Sequence, residues 1–437
     1  MAKTFRAWDV DQVWLLPPSV HDFVPPGHVA HFVRDTVREA LDLTAIRSPY
    51  EAEERGFPPY HPAMMTALLL YAYSQGVYSS RRIAKACEER VDFMAVTGMS
   101  RPDFRTVSDF RKRHLAALSD LFVQVLRLCR EAGLVKLGHV AIDGTKIKAN
   151  ASKHKAMSYG RMKQAEAALA AEVAGWLQRA GASDAAEDRE HGAGRRGDEM
   201  PDWLADKQKR LEKIRAAKAA LEAAARGGDD GEGGAASGDD QKASAPRLPE
   251  NKAQRNFTDP ESRILKTKDG FIQGYNAQAA VDAEHQIIVA TGIGNTGSDQ
   301  DQLAPMLDAV IANTGRVPRE TSADAGYCSE ANLAAAEARG TNAYIATGRQ
   351  RHGAAAPANP RPPRPGTRVA AMAAKLKHAG WRSRYRLRKI TVEPVFGQIK
   401  QPRGFRQFLL RGLDKVRHEW NLVCIAHNLR KLAAAAA

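Results

Sequence analysis

Glu393 is the acid whose surroundings need explaining. Between Arg361 and Arg417, sixteen Lys or Arg residues stand against two acids, Glu393 and Asp414. Such a field favours a polyanionic partner. Proline is favoured at the first position of a helix and pushes the residue before it out of helical geometry. Pro394 therefore places Glu393 at or beside the start of a helix through PVFGQIKQ. Lys400, seven residues on, then shares a face with Glu393, so that one could bind a cation while the other holds a phosphate. Taken alone, Glu393 could simply complement a helix N-terminus. Two aspartates weigh against that: Asp143 closes the apolar run in GHVAIDGTKIKA and Asp324 the one in RETSADAGY, each read as the end of a buried strand. Either one alone is an ordinary turn residue. Together with Glu393 they make the set of hard oxygen ligands that two-metal phosphoryl transfer requires.

The elements able to position these acids follow from periodicity and punctuation. Residues 1–25 read as an irregular lead-in, and Val29, Phe32, Val33, Val37 and Leu41 mark an amphipathic helix. Pro62 opens a second helix that ends at Gly76, and Ser79 or Ser80 caps a third. This pair resembles a helix-turn-helix, with Arg81, Arg82 and Lys85 on its second helix. A short helix expected to be capped by Ser108 carries Arg111 and Arg113 as further phosphate contacts, and a helix follows over 116–132. Residues 157–225 read as an antiparallel helical hairpin with a polar loop over 184–201, and 227–250 as a disordered linker. Tyr275–Val281 and Gln286–Ile293 read as a β-hairpin, with Asp282 a turn residue first and a ligand second. In the next helix, a cap at Ser298 with Asp301 explains Asp299 and Asp301 without chemistry. A strand ending at Asp324, a helix capped by Ser329, a strand over 341–347, a basic proline-rich loop, the Glu393 helix and a packed last helix complete the chain. His427 in that last helix is expected as a core or capping histidine.

Composition narrows the function. The chain has 437 residues and a net charge of +15, which points to nucleic acid or another polyanion, or to a membrane surface. No apolar run reaches the roughly 18 residues of a membrane span and no signal-peptide pattern opens the chain, so a soluble cytoplasmic, nucleoid-associated protein without membrane contact is expected. The four cysteines form no CxxC pair and the histidines no HExxH set, which argues against a zinc site.

From residue 137 the expected order is strand, strand, strand, helix, strand, helix, strand, helix, with a helical insertion after the first strand. That order matches the α/β ribonuclease H-like fold, a mixed sheet in which the three acids converge at one edge. The expected organisation is an all-α N-terminal DNA-binding domain at 1–135 and a catalytic domain at 136–435. The motifs AIDGTKIKANAS, GYNAQAAVD, ADAGYCSEANL and VEPVFGQIK, with WLLPPS and HPAMMTALLLYAYSQG upstream, resemble the DDE transposases of bacterial insertion sequences.

The resemblance implies that Asp143, Asp324 and Glu393 are the catalytic, metal-binding triad and that Lys400 holds the DNA end. It also implies Mg²⁺, with Mn²⁺ as a substitute, and double-stranded DNA as partner, both as terminal inverted repeats and as target. Since two DNA ends must be joined, a homodimer or larger assembly is expected. The related signature separates Tyr, Arg, Glu and Lys by two, three and six residues. Here Tyr385, Arg388 and Lys400 fit, but four residues separate Arg388 from Glu393, so Arg388 and Lys389 both stand as phosphate contacts. The alternatives are a catalytically silent DNA-binding protein derived from such an enzyme, and a structure-specific nuclease of the same fold.

Overall fold

The computed structural model describes residues 19–51, 58–191, 202–226, 248–267, 269–348, 363–379 and 383–436. The first eighteen residues, the loop at 192–201, the linker at 227–247 and most of the proline-rich loop lie outside them. The architecture is mixed α/β, with a helical N-terminal region preceding a mixed sheet.

Seven helices open the described chain: α1 (Val29–Glu39), α2 (Thr44–Glu51), α3 (Pro62–Ser74), α4 (Ser80–Glu89), α5 (Val91–Thr97), α6 (Phe104–Arg113) and α7 (Leu115–Glu131). α3 is apolar on every side, and every residue from Met65 to Ser74 is buried, as suits a central helix. The N-cap of α6 is Asp103, whose carboxylate accepts from the Arg105 and Thr106 amides, so the expected cap Ser108 lies inside the helix. Asp103 outcompetes it because a carboxylate is the stronger acceptor at a helix start.

β1 (His139–Lys148) starts the sheet. The insertion follows as β2 (Ala156–Ser158), α8 (Tyr159–His191), α9 (Asp202–Arg226) and β3 (Gln254–Asn256). Its helices pack on a small core of their own built from Tyr159, Met162, Ile214, Ala217 and Leu221. α8 runs on to His191, so the first part of the expected polar loop is helical. Then come β4 (Arg263–Thr267), β5 (Gly270–Asp282), β6 (Ile288–Gly294), α10 (Leu303–Thr314), β7 (Glu320–Ala323), α11 (Glu330–Ala338), β8 (Asn342–Ile345), α12 (Arg368–Ala379), α13 (Leu387–Lys400) and α14 (Leu413–Ala436).

β5 is the hub of the six-stranded sheet. β1 runs antiparallel along one of its edges, while β4 and β6 share the other. β7 pairs parallel with β1, and β8 parallel with β7. One continuous core joins the sheet to the N-terminal helices through α14, whose Trp420 is fully buried and donates from its indole to the Gln278 carbonyl of β5 at 2.9 Å.

Two expectations about the acids are corrected. Asp143 lies inside β1, opposite Ala279 of β5, and not at the strand's end. What ends beside it is the pairing with β7, which stops at Ala141. Glu393 likewise sits within α13, with Pro394 in the helix interior. Proline removes the amide that would satisfy the carbonyl four residues back, here that of Ile390. The Gln286 side chain replaces it, donating to that carbonyl at 3.0 Å.

Candidate active site

Asp143 and Asp324 meet where the β1–β7 ladder opens. Asp143 Oδ1 accepts from the Gly144 amide at 2.8 Å. Asp324 directly follows β7, where it caps a single 3₁₀ turn and accepts from the Gly326 amide at 2.7 Å. Gly144 is closely surrounded by side-chain ends. A Cβ there would collide with the side chains of Gln278, Asn276 and Asp299.

α13 closes the site from above β1. Just past its C-terminus the chain is stitched to the end of β1, with the Lys148 amide donating to the Arg406 carbonyl at 3.2 Å and the Phe408 amide to the Lys148 carbonyl at 2.9 Å. Lys400, the last residue of α13, donates to the Thr145 hydroxyl and to the Lys146 carbonyl. It faces into the same cleft as Asp143 and Asp324, a hollow of about 1350 Å³.

Arg388 stands between two of the acids. Its Nη1 donates to Asp143 Oδ2 at 2.5 Å and its Nη2 to Glu393 Oε1 at 3.0 Å. The guanidinium is largely buried, and its Nε has no partner. Glu393 is half exposed and joins the group through this bridge. Burial pushes the Asp143 carboxyl up to about 7; Arg388 works against this, while Asp324 and Asp299 add to it.

The donor set suits a hard divalent cation, being carboxylate oxygen throughout. Among the described residues, no three such side chains are gathered tightly enough to hold a metal as they stand. Arg388 supplies positive charge where two of the acids would otherwise face each other.

The other expected contacts separate. Tyr385 lines the cleft, its ring 6.0 Å from the Arg388 guanidinium. Lys389 is exposed and does not line the cleft. On α4, Arg81, Arg82 and Lys85 are exposed, with Arg81 over the Phe104 ring; exposed Arg113 lies over Tyr50. Arg111 is a correction. It is buried and donates to the Tyr78 carbonyl at 2.9 Å, the Tyr73 hydroxyl and the Ser80 hydroxyl, joining α6 to the turn between α3 and α4. It holds the fold and is not free for a phosphate.

Asp299 was overlooked by the capping argument. Its Oδ1 accepts from Asn276 Nδ2 at 2.6 Å and Gln278 Nε2 at 2.9 Å, and it lines the cleft with Asp143 and Asp324. Gln278 accepts in turn from the buried Tyr327 hydroxyl. The available signal was Asn276 and Gln278 themselves, polar residues two apart in an apolar strand and therefore on one face. Asp282, expected in the turn, is instead the buried last residue of β5, opposite Val140 of β1, and accepts from the Leu137 and Glu284 amides.

A helical N-terminal region thus precedes a mixed sheet whose cleft is lined by both aspartates and basic residues. Residues 18–113 match the transposase domain DUF772, and residues 363–433, which include Glu393 and Lys400, match a transposase DDE domain. Together the two matches support an insertion-sequence DDE transposase. No curated protein and no solved structure matches it.

Proposed function

We propose that Asp143, Asp324 and Glu393 are the catalytic carboxylates of a ribonuclease H-like domain spanning 136–435, which cuts DNA at the ends of its element and joins those ends to a target. The sheet order β6-β5-β1-β7-β8, antiparallel through its first three strands and parallel through the rest, supports that fold. The observation that carries the reading is the emergence of Asp143 and Asp324 side by side where the parallel ladder opens. The helices of 1–135 would bind the terminal repeats, with Arg81, Arg82, Lys85 and Arg113 on phosphates.

Asp143, Asp324 and Glu393 would hold Mg²⁺, or Mn²⁺ in its place, which when bound neutralises phosphate charge and makes water a better nucleophile. In the protein alone, Arg388 occupies the gap between Asp143 and Glu393. With DNA in the cleft it turns to a phosphate and leaves both acids free. Lys400, already aimed into the cleft by Thr145, fixes the DNA end. Water attacks a phosphodiester and frees a 3′-hydroxyl, which then attacks target DNA; no covalent protein intermediate is needed. Positioning and charge neutralisation carry the catalysis.

The test is incubation of purified protein with a DNA fragment carrying the sequence that flanks its own gene, in Mg²⁺ or in EDTA. Metal-dependent cuts at the element ends are expected. Binding without cutting would favour the silent DNA-binding reading.

A further inference from the structure

On the other side of the turn that follows α13 lies a second hollow, of about 380 Å³, between α3, that turn and α14. Arg403, Arg430 and Lys431 line it together with His427, and no acid does. Among the described residues none of the three cations makes a salt bridge. Converging like charges with no counterion are costly in a partly buried site.

Arg403 is the built part. It is only 8% exposed. Its Nε donates to the Gln398 carbonyl at 3.1 Å and its Nη2 to His427 Nδ1 at 2.9 Å, while Nη1 is buried without a partner. His427 Nε2 donates to the Gln286 carbonyl at 2.9 Å, so Nδ1 is left as an acceptor and the ring is neutral. Burial agrees, holding His427 down to about 3. The ring therefore orients the guanidinium and adds no charge. The backbone is fixed as well, since the Arg403 carbonyl accepts from the Tyr78 hydroxyl at 2.9 Å. Lys431 is held over the hollow by Gln286 Oε1 at 3.0 Å and Arg430 by the Ser74 carbonyl at 3.3 Å.

A fixed guanidinium with an unpartnered N–H and two further cations beside it suit a tetrahedral oxyanion. We propose that the hollow formed by Arg403, Arg430 and Lys431 is a phosphate-binding site separate from the catalytic cleft, taking either a DNA backbone phosphate or a free phosphate compound. Lys400 and Arg406 line the catalytic cleft, whereas Pro402 and Arg403 between them line this hollow. Gln286, which meets Lys431 here, also donates to the Ile390 carbonyl in α13. The site does not depend on the catalytic reading.

Two probes test it, pyrophosphate by calorimetry and a random-sequence duplex by salt-dependent binding, each on the intact chain without metal. The variants are Arg430→Gln and Lys431→Gln, which lie at the rim, so that folding does not hinge on Arg403. Asp143→Asn reports on the cleft. Pyrophosphate binding retained in Asp143→Asn and lost in both rim variants is expected if the ligand is a free phosphate compound. If it is a DNA phosphate, each rim variant lowers the slope of log affinity against log salt by about one. Wild-type behaviour of both rim variants with both probes would overturn the proposal.

Discussion

Arg388 Nη1 lies 2.5 Å from Asp143 Oδ2, a contact that joins residues 245 positions apart, and the same guanidinium reaches Glu393 at 3.0 Å. Within the cleft, Asp143 and Glu393 are thus bridged by one guanidinium. Removing that cation should cost stability, because a buried charge left without its partner is destabilising by roughly 3 kcal/mol. Arg388→Ala is expected to melt well below the wild type and to recover in millimolar Mg²⁺ or Mn²⁺. A thermal melt with and without metal reads both effects. Equal recovery by NaCl of matched ionic strength would show that general screening is enough.

Gly144→Ala should be destabilising by about 2 kcal/mol, since its methyl group overpacks a filled space. The obstruction is Asn276, Gln278 and Asp299, so the damage falls on the side chains that border Asp143. A denaturant titration checks it; a variant as stable as the wild type would mean that those side chains move aside freely.

Asp299→Ala strips the acceptor from Asn276 Nδ2 and Gln278 Nε2. Unpaired buried donors cost about 1–3 kcal/mol each. Asp299→Asn keeps one acceptor oxygen and should recover part of the loss. If both variants melt alike, the amide contacts contribute little to stability.

Glu419 supplies a pH dependence. It is fully buried, accepts from the Leu409 and Leu410 amides, and burial pushes its carboxyl up to about 7. Because the folded value is raised, its contribution is fully present below the ordinary carboxylate range and is lost as pH rises through 7, by up to ~3 kcal/mol. Glu419→Gln cannot titrate, so its stability relative to the wild type should increase from pH 4.5 to 8. A constant difference across that window would mean that Glu419 ionises normally.

Much of the frame was legible because local signals agreed. Apolar spacing gave α1, Ser329 gave the start of α11, and the hairpin of β5 and β6 was readable from its two apolar runs. Short β2, β3 and β4 were missed, since three to five residues carry too little period. The errors at the site have distant causes. Pro394 sits inside α13 because Gln286 satisfies Ile390, and Asp143 lies mid-strand because β5 continues where β7 stops. Arg111 reads as a surface cation until Tyr73, Tyr78 and Ser80 surround it. Asp299 reads as a helix cap until the sheet brings Asn276 and Gln278 to it.

The most direct measurement is metal-dependent cleavage of duplex DNA bearing the element's ends by Asp143→Asn, Asp324→Asn and Glu393→Gln beside the wild type. The expected result is cutting by the wild type, a loss of at least about a hundredfold in each variant, and unchanged DNA binding in all four. Full cleavage by any one variant would remove that residue from the triad, and full cleavage by all three would contradict the placement of the active site in this cleft.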